Sequence, residues 1–170
     1  MKRNFVFAAI FAIAAFAMTA SAQKATDFSG TWTLDASKSK PAEAMIETQT
    51  FVVTQTATDL KVDRTSKMKA DAAPMRGGGN MGDGSTTYTL DGKGVESEMQ
   101  GRGGSMKVTT KAKIDGGKLE ITRSFTTPMG DRTSTEKWWL NADGTLTVES
   151  TRPNREGGTD TMTRIYTKKS

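Results

Sequence analysis

Residues 27–34 read Asp27-Phe28-Ser29-Gly30-Thr31-Trp32-Thr33-Leu34. Phe28, Gly30, Trp32 and Leu34 share one parity and Thr31 and Thr33 the other, so an extended chain here turns one small and three large apolar residues towards a core. The same period of two recurs downstream. In residues 105–114, Met106, Val108, Thr110, Ala112 and Ile114 fall on one side, and Lys107, Thr109, Lys111 and Lys113 on the other. No helical period long enough to compete appears.

Further strands are predicted over residues 45–55, 60–68, 86–90, 95–99, 119–126, 132–140, 146–151 and 160–168, roughly ten in all. Short turns separate them in alternation with longer connections. Asp91-Gly92, Asp115-Gly116 and Asp143-Gly144 are hairpin signals, because glycine supplies the positive φ such turns need. Residues 35–44, rich in Lys and Ser with Pro41, read as a polar connector holding at most one helical turn. The expected fold is all-β, an antiparallel up-and-down β-barrel of about 8–10 strands. In such a meander the tight turns gather at one end. The connections 35–44, 69–85, 100–104, 127–131 and 153–159 gather at the other, which makes that end a mouth. Residues 69–85 contain Gly77-Gly78-Gly79, Met75 and Met81 and no apolar period, so they read as a flexible loop.

Ahead of this domain, Lys2 and Arg3 precede an apolar run from Phe5 to Met18, closed by Thr19-Ala20-Ser21-Ala22. That is a charged, an apolar and a small-residue cleavage region in order, so residues 1–22 are expected to be a signal peptide. The run is shorter than the ~20 apolar residues of a spanning helix. The mature domain is then residues 23–170, periplasmic or secreted and not membrane-spanning. With no Cys there is no lipobox cysteine to carry a lipid, and no disulfide or thiol chemistry is expected. The chain carries 24 basic and 19 acidic residues, and loss of Lys2 and Arg3 leaves 22 against 19. Such a mild excess, without a Lys/Arg block, gives no footprint for nucleic acid.

Carrying the alternation along each strand places three arginines, Arg64, Arg123 and Arg164, on the apolar parity. A guanidinium rarely enters an interior without an anionic partner. The candidates are the inward acids Glu136 and Asp160, a bound anion, or water in a wet cavity. Arg164 either lies over Trp32 as a lid on the barrel floor or meets a ligand. Arg123 can pair with Glu136, and Arg64 can extend to the rim. Either of the adjacent Trp138 and Trp139 can be the one that faces in.

The Gly30-x-Trp32 at the head of the first strand resembles that of the calycin barrels, the lipocalins and fatty-acid-binding proteins, in which the Trp plugs the barrel floor. From Lys113 onward the strand and turn order resembles the last four strands of the fatty-acid-binding proteins. Their Arg-x-Tyr on the final strand binds a fatty-acid carboxylate, and Arg164 and Tyr166 match it. A planar fork and a phenol can hold both oxygens of one carboxylate. This chain departs from that family in three ways. Residues 35–44 leave no room for its helix-turn-helix lid, its second arginine position falls near Lys137 or Trp138, and the leader is foreign to a cytosolic family. In these respects the chain more closely resembles exported bacterial lipocalin-like proteins.

The resemblance implies an exported carrier or scavenger that takes a small hydrophobic or amphipathic anion inside the barrel. The ligand-binding residues would be Arg164, Tyr166, Arg123, Arg64 and Trp32. An alternative is an envelope adaptor or inhibitor acting through its loops on a protein partner, since small exported barrels of this type include protease inhibitors. With no His, no Cys, no nucleophile elbow and no phosphate loop, neither an enzyme nor a cofactor is expected. The methionines are soft donors for a cuprous ion, but without His or Cys beside them no metal centre is expected.

Overall fold

The computed structural model describes residues 26–41, 46–70, 83–101, 104–127, 130–154 and 156–169. The expected leader and most of the 69–85 loop lie outside them. Ten strands form one antiparallel sheet: β1 (Gly30–Lys40), β2 (Ile46–Gln55), β3 (Asp59–Met68), β4 (Gly84–Thr89), β5 (Val95–Gly101), β6 (Gly104–Asp115), β7 (Lys118–Thr127), β8 (Gly130–Leu140), β9 (Leu146–Pro153) and β10 (Thr159–Lys168). Their order is β4-β3-β2-β1-β10-β9-β8-β7-β6-β5. The first and last strands thus pair in the middle of the sheet, Trp32 opposite Lys168 and Leu34 opposite Tyr166. Curling brings the end of β4 against β6, and β4 and β5, which do not pair, leave an unzipped seam with a cavity between them.

That seam corrects one expected hairpin. Asp91-Gly92 does turn, with Gly92 at φ 74°, but β4 and β5 do not pair. The turn docks on β6 instead, through a bridge between Asp91 and Lys113 and a 3.0 Å bond from the Gly92 amide to the Ala112 carbonyl. The β6–β7 turn forms as expected, yet its two positive-φ residues are Gly116 and Gly117, not Asp115. At β8–β9, Gly144 (φ 78°) closes a wider loop in which its amide bonds the Asn141 carbonyl.

Two of the long connections are also shorter than expected. β5 and β6 pair up to Gly101 opposite Gly104, and β7 and β8 up to Thr127 opposite Gly130, so only two residues link each pair. Residues 35–40 continue β1 as a strand with no helical turn. Three extra residues bulge between Asp35, opposite Ile165, and Lys40, opposite Thr163. Asp35 organises the bulge, accepting bonds from the Ser37 amide and hydroxyl.

The core fills the tight-turn end. Phe28, Trp32, Phe51, Leu60, Leu119, Ile121, Trp138, Leu146 and Tyr166 are at most 1% exposed. Gly30 sits at φ 137°, and a Cβ there would collide with the Lys168 side chain, whose ammonium lies 5.2 Å from the Trp32 ring centroid. The Gly-x-Trp spacing is thereby explained: glycine gives way so that a lysine stem can cross to the indole. Trp32 Nε1 donates to the Phe28 carbonyl at 2.8 Å. Among the described residues no helix is long and apolar enough to cross a membrane.

Candidate functional site

On β2, β3, β7, β8, β9 and β10 the inward face changes character partway along. Towards the tight turns it is apolar; two residues further on it is polar or charged. After Leu60 and Val62 comes Arg64, and after Leu119 and Ile121 comes Arg123. Leu146 and Val148 are followed by Ser150 and Arg152. Reading away from the floor, Tyr166 is followed by Arg164, Trp138 by Glu136 and Phe51 by Gln49. The alternation thus builds a dry lower half and a charged upper half in one barrel.

Arg164, only 6% exposed, borders a cavity with Gln49, Phe51, Arg64, Glu136, Arg152 and Tyr166 among its walls. The cavity measures about 20 Å³, room for about one water. Phe51 is its keystone: the Tyr166 ring stacks on it at 4.6 Å, the Trp138 ring at 5.5 Å, and the Arg64 guanidinium lies 4.9 Å from its centroid. Tyr166 donates its hydroxyl to Gln49 Oε1 at 2.6 Å, and Gln49 Nε2 donates to Ser66 Oγ at 2.9 Å. The Arg-x-Tyr pair is therefore packed into the wall, with the phenol hydrogen committed to Gln49.

Arg123 faces a second, larger space. Its guanidinium donates to the Tyr88 hydroxyl, and another of its nitrogens lies 3.8 Å from Glu136 Oε2. Glu136 Oε1 accepts from Trp138 Nε1 at 2.7 Å. A polar chain thus runs from the floor indole through Glu136 and Arg123 to Tyr88 on β4. Beyond it lies a cavity of about 280 Å³ walled by β4, β5, β6 and Arg123 of β7. It occupies the seam where the β-ladder stops.

Burial pushes the Tyr88 phenol above its usual range, against the opposing pull of the Arg123 charge. Because the folded value is raised, its stabilising contribution is complete below the ordinary phenol pKa of about 10 and is lost as pH climbs through the higher folded value. In a Tyr166→Phe variant, which isolates this group, phenolate absorbance should develop at higher pH in the folded than in the urea-unfolded protein. Coincident titrations would contradict the buried assignment. At neutral pH Tyr88 accepts from Arg123 and keeps its own hydrogen to donate.

The structure brings Arg64, Arg164 and Tyr166 together, sets Arg123 beside the seam, and puts Trp32 apart from both cavities, in the floor. Lys168, not Arg164, covers Trp32. Asp160 shares the inward parity but splays into solvent at the strand end, where it accepts from Asn154; it does not neutralise the interior. Trp138 faces in, while Trp139 faces out beneath the Lys118 ammonium and bonds Asn141. Arg152 and Gln49 belong to the site although only the neighbouring residues were expected there. Gln49 lies two residues before the inward Phe51 and Arg152 two after the inward Ser150, so the same parity carried one step further finds each. Arg152 keeps solvent contact, yet burial of part of it and the like charge of Arg164 hold its pKa below the usual arginine value, with Glu136 opposing.

No protein-family model matches the chain, and no curated protein matches its sequence. Solved structures do match. Fatty-acid-binding protein 1 of Echinococcus granulosus superposes with a TM-score of 0.51 at 12% identity, covering 84% of this chain and 98% of that one. The fluorescent protein UnaG gives 0.51 at 17% identity, with 84% and 97% covered. Secretory abundant heat soluble protein 4 from Ramazzottius varieornatus gives 0.50 at 14% identity, with 84% and 94% covered. At these identities the likeness is one of fold: the chain shares the antiparallel β-barrel architecture of these proteins, as one ten-stranded sheet whose β4 and β5 ends do not pair.

Proposed function

We propose that this protein is an exported, non-catalytic carrier that takes a small amphipathic anion into its barrel, in the manner of bacterial lipocalin-like envelope proteins. One observation carries the reading. The residues lining the two cavities include four arginines, Arg64, Arg123, Arg152 and Arg164, and a single acid, Glu136. Like charges crowded in a partly desolvated space repel, so an entering anion gains from every one of them. The apolar lower half provides a dry boundary that strengthens the attraction.

Native mass spectrometry of protein purified from its own envelope without detergent tests the reading. A discrete extra mass, removed by organic extraction, is the expected result. A protein that is bare under those conditions, and takes up no anion afterwards, would move the function to the loops and a protein partner. Removing two of the four positive charges in the double variant R123Q/R164Q is expected to weaken binding of the extracted anion by about 1.5–3 kcal/mol. Unchanged affinity in that variant, shown folded by circular dichroism, would exclude the arginines as the recognition element.

A further inference from the structure

Resting on the carrier reading above, we propose that the ligand is a compact organic monoanion with a flat or branched apolar body, seated in the β4–β5 seam with its acid group on Arg123 and Tyr88. A long acyl chain drawn to Arg164 and Tyr166 is the arrangement this replaces.

Volume separates the two. The space beside Arg164 and Tyr166 is about 20 Å³, and no organic group enters it without unpacking Phe51. The seam cavity is about 280 Å³. A dry cavity of about 150 Å³ accepts benzene, so the seam has room for about a dozen non-hydrogen atoms. A long-chain fatty acid has about three times as many atoms as benzene and overfills it.

Chemistry points the same way. Val95, Met99, Val108 and Ala112 give the cavity an apolar wall, suited to a ring or a branched body. Arg123 and Tyr88 supply the anion contact at its inner end. Arg123 is held against Tyr88 and Glu136, so its fork is oriented before a ligand arrives. Its side chain remains 26% exposed. The Tyr88 hydroxyl, which accepts from Arg123, donates its hydrogen to the second oxygen of the acid. Entry is sideways, because β4 and β5 share no ladder and Val95 at the edge is 52% exposed.

Titration calorimetry with 4-phenylbutyrate, its neutral amide and palmitate tests this on the wild-type protein and on R123Q, R164Q and Val95→Trp. Lys111→Gln, on the outward face of β6, controls for lost net charge. Phenylbutyrate should bind more tightly than palmitate, and the amide about tenfold or more weakly. R123Q should cost about tenfold and R164Q less, because Arg164 contributes only its field. Val95→Trp, which fills the seam from an exposed edge, should abolish binding, and Lys111→Gln should leave it unchanged. Palmitate binding preferentially, with R164Q more damaging than R123Q and Val95→Trp harmless, would overturn the seam site while leaving the carrier reading intact. Binding of neither acid would overturn both.

Discussion

Trp138→Ala lowers the stability of the barrel by about 3–5 kcal/mol, the range for removing a large aromatic side chain from a packed core. Trp138 is 1% exposed. Its ring stacks on Phe51 at 5.5 Å with 8° between planes and meets the Phe28 edge at 6.3 Å. Strand pairing fixes the surrounding backbone on both sides, Leu119 on β7 and Val148 on β9, so the walls cannot collapse into the vacated volume. The loss should be read from urea unfolding as a lower midpoint with an unchanged slope. A loss below about 1 kcal/mol would mean that the floor repacks freely. Trp139→Ala, next in sequence but on the outer face, is the matched comparison and should cost far less.

Glu136→Gln should destabilise the protein by about 2–3 kcal/mol although it changes almost no volume. Glutamine preserves a carbonyl oxygen for Trp138 Nε1, so what disappears is the negative charge. Glu136 is 13% exposed at its side chain and Arg123 26%. The contact between them is long, which sets the expectation below the 3–5 kcal/mol of a fully buried broken pair. With the acid neutralised, Arg64, Arg123, Arg152 and Arg164 lose the one carboxylate that lines the cavities with them, and a small divalent anion should return part of the loss by binding the folded state alone. The check is urea unfolding in sulfate and in chloride at matched ionic strength. The sulfate increment should be larger in E136Q than in the wild type, which removes the general salting effect. Equal increments would show that the arginines are compensated without Glu136 and that its charge has no structural role.

Period-two alternation carried most of the fold. Val53, Leu60, Val62, Tyr88, Leu119, Ile121, Trp138, Leu146, Val148 and Tyr166 are all on the expected face and buried. It carried Arg64, Arg123 and Arg164 as well, because parity does not depend on whether a side chain is comfortable inside. The failures lie where a local signal competed with distant geometry. Asp91-Gly92 has hairpin chemistry, but whether two strands pair after a turn depends on how the sheet closes, and here the turn binds β6 in preference. Lys168 covers Trp32 because they are opposite each other in the β1–β10 register, and nothing near either residue in sequence specifies that register. Arg152 was hidden by Pro153, which reads as loop. Asp160 had the correct parity, and the end of a strand simply has no wall to hold it in.

The central position of the β1–β10 pair also governs how the barrel comes into being. Neighbouring hairpins such as β2–β3 or β6–β7 join residues close in sequence and can form early, but Trp32 and Lys168 must find each other across nearly the whole chain. Loop closure over such a separation is slow, and a topology weighted towards it gives a high contact order. Two half-sheets, β1–β4 and β5–β10, can assemble with their free edges exposed, and only the final strand docking on the first joins them. Until then β1 and β10 are the sticky edges, prone to pairing with other chains. Once they are zipped, the remaining edges are β4 and β5, which share the walls of the seam cavity.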